Sequence, residues 1–309
     1  MQEFFKTMVI VNPNSANGNT AKQWPGIRDL IRTVLPEFAS EMTSAPGDAS
    51  EIARRAIKDG YEMVVSLGGD GTNNEVVNGF FEGGEPINSE AVLGVISRGT
   101  GSDLIKTLGI PKDPQEAVKR LAGRSSAPCD VGHLTLVDHA GQNVDRYFIN
   151  IASFGIGGDI DRRVNNTSKA LGGFVSFLWG SVVSIFAYSN REVEISIDGK
   201  SIGTRKIFSC AVANGQYFGG GMWVAPEAKM DDGLFDIVLM GDLGLMETLT
   251  QMSSIYKGKH LEHPKIEAFR GKRVEATSSE EVLLDVDGEQ PGGIPSIFEI
   301  LPGAIRIKR

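Results

Sequence analysis

Cysteine is scarce in this chain, two in 309 residues, and Cys129 and Cys210 lie far apart in apolar surroundings. That excludes a disulfide-built scaffold and suits buried thiols in a reducing compartment. Positive charge is also short. Lysine and arginine number 31 against 39 acids, a net charge of −8, so nucleic acid is not expected as a partner despite the local cluster Arg270, Lys272 and Arg273. Histidines number four. His260 and His263 have no third ligand near them in sequence and read as loop residues. Residues 1–6 lack the charged head and apolar core of a signal peptide, so the sequon Asn166-Thr167-Ser168 is not expected to carry sugar. One charge-free run, residues 171–188, is 18 residues long, at the lower edge of spanning length. Its glycines and serines, with Phe174, Phe177, Leu178, Val182, Ile185 and Phe186 at helical spacing, point to a buried or interfacial helix. Neither G-x-x-x-x-G-K-[ST] nor G-x-G-x-x-G occurs, which sets aside the P-loop and the usual dinucleotide turn.

What the chain does have is glycine at strand ends. Met63-Val64-Val65-Ser66-Leu67 reads as a buried strand and Val76–Phe81 as helix, with Gly68-Gly69-Asp70-Gly71-Thr72 between them. Glycines let the backbone approach a ligand closely, and a strand-to-helix turn aims N–H groups and the helix dipole at one spot. A carboxylate there, Asp70, makes sense when a metal ion bridges it to phosphate. Two further loops share this setting: residues 12–19 after an apolar strand at 7–11, and Ser97-Arg98-Gly99-Thr100-Gly101-Ser102-Asp103 after a strand at 91–96. Helix patterns at 21–35, 49–58, from 73, and at 114–122 alternate with these strands. The order implies a parallel sheet covered by helices, with ligands at the strands' carboxyl ends.

From about residue 127 the pattern turns to short strands: 131–137, 146–151, 192–197, 206–213, 234–239, 273–276, 282–286 and 297–301. Asp198-Gly199 and Asp287-Gly288 are turn signals. This predicts a mostly antiparallel sandwich with a helix-rich insertion at 161–188 and a helix at 243–256. Residues 1–126 form the first domain and 127–301 the second, with the tail from about 302 free to return to the first. Asp285 and Asp287 share a strand face by the period of two, and Asp287 and Glu289 flank a turn glycine, where a carboxylate can serve as a general base. On spacing alone the acidic turn 226–233 reads as a solvated hairpin.

Taken in order, these stretches resemble the diacylglycerol kinase catalytic-domain family, bacterial lipid kinases related to sphingosine kinases. The matching pieces are Val11-Asn12-Pro13-Asn14-Ser15, Gly68 to Glu75, Arg98 to Asp103, Asn214-Gly215 with Gly219-Gly220-Gly221, Ala228 to Gly233, and Asp287-Gly288-Glu289. The glycine-rich Asp loop alone is shared with NAD kinases and phosphofructokinase-like enzymes; the combination is more specific. The resemblance implies an α/β fold of the NAD kinase/diacylglycerol kinase type: a doubly wound α/β domain followed by a mostly antiparallel β-sandwich, with the active site in the cleft between them. It implies that Asn12, Pro13, Asn14, Ser15, Ala16, Thr43, Gly68, Gly69, Asp70, Gly71, Thr72, Asn73, Asn74, Glu75 and Thr100 contact ATP. Glu289, Asp287 and Asp70 would be catalytic, with Glu289 the proton acceptor and Asp287 beside it. Lys229 and Leu234, through backbone carbonyls, and Asp232 would hold a structural Mg²⁺, which replaces the hairpin reading of that turn. Ser97 stands where the family usually has proline, and Ser102 where it has asparagine. The implied activity is ATP- and Mg²⁺-dependent phosphorylation of a lipid hydroxyl by a cytoplasmic enzyme peripheral to the inner face of the membrane. A kinase for a soluble acceptor and a non-catalytic regulator are the competing readings. The identity of the lipid, a homodimer, and the choice between Asp287 and Glu289 as base stay open in the sequence.

Overall fold

The computed structural model describes residues 4–166 and 188–309. The run 171–188 therefore lies, Tyr188 apart, outside the described residues. The chain divides into two compact units, Met1–Val131 with Pro302–Arg309, and Gly132–Leu301.

In the first unit, apolar runs become β1 (Thr7–Val11), β3 (Met63–Gly68) and β6 (Val92–Ser97), every residue of which is buried. Such runs need cover on both sheet faces. α1 (Asn19–Arg32), α2 (Asp48–Lys58), α3 (Asp70–Asn78) and a short α5 (Pro114–Lys119) supply helical cover, while α4 (Asp103–Leu108) follows β6. Ile27, Ile31, Val65, Leu67, Ile96 and Leu121 share one core. The strand order is β2-β1-β3-β6, all parallel, with β2 spanning Ala39–Met42. The short pair β4 (Phe81–Glu82) and β5 (Glu85–Pro86) is a separate hairpin. β1 feeds β2 on one side and the chain then crosses to β3 on the other, so the topological switch point lies between β1 and β3. β2 has no apolar run to announce it: its four residues, ASEM, alternate between half-buried and exposed at the sheet edge. The chain's last strand returns here, with Arg306 and Ile307 pairing parallel to Val92 and Leu93. Lys308 follows it inward, donating to the carbonyls of Ala122 and Gly123 at 2.9 and 2.7 Å.

The second unit is antiparallel. One sheet runs β11-β10-β17-β19, formed by Lys200–Ile207, Arg191–Ile197, Arg273–Thr277 and Gly292–Ile307, with β7 (Ala127–Asp138) pairing β19 and β8 (Asn143–Phe148) pairing β7. The other runs β16-β15-β12-β9-β18, formed by Ile266–Gly271, Phe235–Met240, Ser209–Ala213, Ile151–Gly155 and Leu284–Val286. Phe148 and Phe298 from one sheet meet Phe154 and Phe235 from the other in a common core, Phe148 stacking on Phe235 with ring centroids 5.6 Å apart. β13 (Tyr217–Phe218) and β14 (Met222–Trp223) make a small hairpin. Helix α6 (Ile156–Asn166) follows β9, and α7 (Leu245–Ile255) follows β15.

Two predicted strands are each divided in the structure, for one physical reason. The runs at 146–151 and 206–213 start in one sheet and finish in the other. The first breaks between β8 and β9 at Ile149-Asn150. The second breaks at Phe208, whose N–H turns to the carbonyl of Met240 at 2.9 Å. A local apolar run cannot show a change of partner. His260 is a second correction. It is fully buried on a 3-10 turn (His260–Glu262), with Nε2 2.9 Å from the carbonyl oxygen of Val224, so it is a core histidine rather than a loop one.

α3 starts at Asp70, three residues before the expected start, and it is clamped to α2. Ser50 Oγ donates to the Glu75 carbonyl at 2.7 Å, and Glu75 Oε2 accepts the Ala49 N–H at 3.2 Å. At Gly79 a methyl group would lie 2.4 Å from the Ser50 carbonyl oxygen and 2.7 Å from Ala53 Cβ. Gly79→Ala is therefore expected to destabilise the protein by about 1–3 kcal/mol through overpacking, read as a lower urea midpoint. An unchanged midpoint would contradict this clamp.

Candidate functional site

In the first unit, three loops leave the carboxyl ends of β1, β3 and β6. The loop after β1 is tied to the next: Asn12 N–H donates to the Leu67 carbonyl at 3.0 Å and Asn12 Nδ2 to Thr72 Oγ1 at 2.9 Å. Asn12 Oδ1 also accepts the Asn14 N–H at 3.0 Å, and Ser15 Oγ donates to the Asn12 carbonyl at 2.9 Å. Past Pro13, the residues Ala16, Asn17 and Gly18 all adopt left-handed backbone angles, φ 53°, 55° and 80°. Thr43, buried at the end of β2, donates its N–H to the Val11 carbonyl at 2.9 Å.

The glycines of the second loop have separate tasks. A methyl on Gly68 would meet Thr72 Oγ1 at 2.4 Å, so Gly68 makes room for the buried threonine. Gly69 and Gly99 approach backbone to backbone: a Cβ on Gly99 would lie 2.8 Å from Gly69 Cα, and one on Gly69 3.2 Å from Gly99 Cα. The Arg98 N–H completes the contact, donating to the Gly68 carbonyl at 2.6 Å. In the third loop the two departures from the family pattern meet. Ser97 Oγ donates to Ser102 Oγ at 2.9 Å, and Ser102 Oγ to the Gly99 carbonyl at 3.0 Å, so the hydroxyls close the loop internally. Thr100 is exposed between Gly99 and Gly101.

This approach sets two carboxylates side by side. A Cβ on Gly101 would lie 3.2 Å from Asp103 Oδ2 and 3.3 Å from Asp70 Oδ2. Asp103 is buried and accepts from Lys106 Nζ at 2.7 Å. Asp70 Oδ2 accepts the Asp103 N–H at 3.4 Å, whereas Asp70 Oδ1 is buried with no hydrogen-bond partner. Burial first, and then the Asp103 carboxylate, hold the Asp70 carboxyl above the usual carboxylate range. A buried, unsatisfied carboxylate oxygen beside a second acid at a helix N-terminus suits a divalent cation. Three residues on from Asp70, Asn73 is buried with neither side-chain amide atom partnered, between Thr72 and the half-buried Asn74. Gly71 completes the first turn of α3.

In the second unit, Asp287 and Gly288 take left-handed angles, φ 51° and 89°, in a tight turn closed by the Val286 and Glu289 backbones at 2.8 and 3.0 Å. The Asp287 carboxylate accepts three backbone N–H groups: Ile149 at 2.9 Å, Asn150 at 3.1 Å and Ile151 at 3.0 Å. These are the groups freed where β8 gives way to β9. Asn150 extends the network, accepting the Asn214 and Gly215 N–H groups at its carbonyl and donating Nδ2 to the Tyr217 carbonyl at 2.7 Å. Asn214 Nδ2 returns to the Ile149 carbonyl at 2.7 Å. Asn150 is a residue that reading the sequence missed. Its one signal was an asparagine inside an apolar run. Glu289 is exposed at the turn's end, and Asp285 Oδ1 accepts the Gly288 N–H at 2.8 Å.

The turn containing Lys229, Asp232 and Leu234 is arranged differently. Asp232 accepts the Leu234 N–H at 3.2 Å and is ion-paired with Arg270, whose Nε also lies 3.4 Å from Asp236. The Arg270 guanidinium offsets part of this carboxylate's charge, while Asp236, close to both Asp232 and Glu227, adds to it. Among the described residues no group of three or more His, Cys, Asp and Glu side chains is placed to hold a metal.

The family model described as the diacylglycerol kinase catalytic domain matches residues 6–134, and the YegS C-terminal NAD kinase beta sandwich-like domain matches residues 150–309. A diacylglycerol kinase of Staphylococcus aureus (strain bovine RF122 / ET3-1) is 30% identical over 303 residues, covering 95% of this chain and 89% of the relative. The chain belongs to the diacylglycerol kinase catalytic-domain family. The diacylglycerol kinase of Bacillus subtilis (strain 168) is 29% identical over 295 residues, covering 95% of this chain and 92% of its own. Among solved structures, a candidate diacylglycerol kinase from Bacillus anthracis str. Sterne superposes with a TM-score of 0.76 at 25% identity, covering 100% of this chain and 98% of that one. An NAD kinase from Archaeoglobus fulgidus shares the fold alone, with a TM-score of 0.52 at 12% identity over 98% of this chain and 93% of that one. The α/β unit and the β-sandwich are thus those of a kinase family, a family of phosphotransferases.

Because the raised carboxyl of Asp70 favours its protonated form, its contribution to stability is full below the unfolded value and is lost as pH rises through the folded one. Above the folded value the ionised, unliganded Asp70 is therefore a net cost. Asp70→Asn, uncharged throughout, is expected to raise the melting temperature of the ligand-free protein at pH 7 by about 1–3 °C. The gain over wild type should shrink toward pH 4. A lower melting temperature for the variant at pH 7 would contradict this electrostatic picture.

Proposed function

We propose that this chain transfers the γ-phosphoryl group of ATP to the hydroxyl of a lipid such as diacylglycerol, with Mg²⁺ as cofactor, at the cytoplasmic face of a membrane. The observation that carries the reading is the unpartnered, buried oxygen of Asp70 beside Asp103. This pair repels a bare polyphosphate and admits one that arrives with a divalent cation. Asp70, next to Asp103, would hold the ion, and the bound ion would neutralise charge developing on the transferring phosphoryl oxygens.

The remaining work falls to the chain itself. N–H groups at the head of α3 and in the 97–103 loop offer donors to phosphate oxygens without side chains in the way. Asn12 and Thr72, bonded to each other, keep the loops after β1 and β3 in register. Glu289 takes the proton of the lipid hydroxyl. Asp287 is the poorer candidate for base, because its carboxylate is occupied by three backbone donors; it holds the turn that presents Glu289. Both named relatives are diacylglycerol kinases, which favours a lipid acceptor over a soluble one.

The test is γ-labelled ATP with Mg²⁺ and separate vesicles or micelles of diacylglycerol, phosphatidylglycerol and a sphingoid base, beside soluble acceptors. Label in a lipid supports the reading, and label only in a soluble acceptor defeats it. Glu289→Gln should lower kcat by about 10²–10⁴ with little change in melting temperature. Asp287→Ala should instead destabilise the protein by about 2–4 kcal/mol, the cost of leaving buried donors unsatisfied. Wild-type turnover by Glu289→Gln would remove Glu289 from the mechanism.

A further inference from the structure

The exposed apolar side chains of this protein are gathered in one place. Among the described residues, the large exposed hydrophobics are Met42, Leu245, Met246, Leu249 and Tyr256, and all but Met42 belong to α7 or the residue after it. Met246 is 71% exposed and Tyr256 50%. Leu245, Leu249, half-buried Met252 and Tyr256 recur at i, i+4, i+7 and i+11, which is one stripe of a helix. The helix rests on the body through Thr248 and Ile255, its buried residues, so the stripe lies on the flank beside that contact and faces outward. A helix that needed only solvent would carry charge there.

The charges along the stripe are paired, and the unpaired lysines lie at its end. Within α7 the single ionised side chain is Glu247. Its Oε2 accepts Lys265 Nζ and the Gly244 N–H, each at 2.7 Å. Asp242, before the helix, is 3.3 Å from Lys206 Nζ. Just past the helix, Lys257 and Lys259 are exposed, and neither is ion-paired among the described residues. Exposed Glu262 is the acid that stands against them. In a chain of net charge −8, two unpaired lysines at the end of an apolar stripe mark a local reversal of sign. Apolar side chains, an aromatic with a polar tip, and flanking lysines form the combination that seats a helix in the headgroup region of an anionic bilayer.

We infer that the α7 face, Leu245, Met246, Leu249 and Tyr256 with Lys257 and Lys259, is the surface by which this protein docks on an anionic lipid bilayer. The inference rests on the reading of the acceptor as a membrane lipid, and supplies the contact that such an enzyme needs to reach it. None of these residues belongs to the phosphate-binding or base-bearing loops.

Sedimentation with vesicles, without nucleotide, tests it. The full-length protein should pellet with vesicles containing phosphatidylglycerol and stay in solution with pure phosphatidylcholine. Met246→Ser with Leu249→Ser should weaken that partitioning about tenfold or more. Lys257→Gln with Lys259→Gln should weaken it several-fold and reduce its dependence on salt. On a short-chain lipid dispersed below its critical micelle concentration, both variants should turn over as wild type does, which also shows that they fold. Equal binding by variants and wild type, or no binding by wild type, overturns the inference. So does a dimer in sedimentation velocity that Met246→Ser with Leu249→Ser dissociates, since a second copy would then cover the face. Vesicle binding without phosphorylation of any lipid would leave the docking surface standing and bring down the reading of the reaction.

Discussion

The candidate phosphate site depends on a contact between two backbones. Gly69 and Gly99 meet with no room for a Cβ on either, and the Arg98 N–H locks the contact onto the Gly68 carbonyl. Any side chain there would push the β3 and β6 loops apart. Their closeness brings Asp70 against Asp103, and it leaves one oxygen of Asp70 buried and unsatisfied. Folding a chain around such a group is unfavourable on its own. It is tolerable where a ligand supplies the missing partner, and strain of this kind concentrates where proteins bind. The parallel sheet provides the platform, since the switch point between β1 and β3 sets the loops after both at neighbouring strand ends.

The sandwich unit solves a different problem. Where the chain leaves one sheet for the other at Ile149-Asn150, consecutive N–H groups lose their ladder partners, and backbone donors cannot be left bare. Asp287 takes all of them. A residue that would attract notice as a catalytic acid is thus first a structural one, which leaves Glu289 on the same turn as the proposed base. Arg270 plays a comparable part at the acidic turn, where its guanidinium sits between Asp232 and Asp236.

Much of this was legible in the sequence because it was local. Fully buried strands such as 63–67 appear as apolar runs, and the loops that follow them as glycines at their ends. The family fold followed from motifs in order along the chain. What could not be read was every feature that depends on a distant partner. β2, Ala-Ser-Glu-Met, is an edge strand held by its neighbour, not by an apolar pattern. The breaks at Ile149-Asn150 and Phe208 are changes of sheet inside continuous runs. The bonds from Asp287 reach 136 to 138 residues back along the chain. Ser97 and Ser102 looked like two unrelated departures until their hydroxyls were seen to bond to each other.

The central claim is that Asp70 admits nucleotide only together with a cation. Calorimetric titration of ATP into wild type and Asp70→Asn, each with Mg²⁺ and with EDTA, tests it most directly. Wild type should bind ATP at least tenfold more tightly with Mg²⁺, because without it the Asp70 and Asp103 carboxylates face the phosphates. Asp70→Asn should lose most of that difference and bind ATP in EDTA better than wild type does. Equal wild-type affinity with Mg²⁺ and with EDTA would contradict the account.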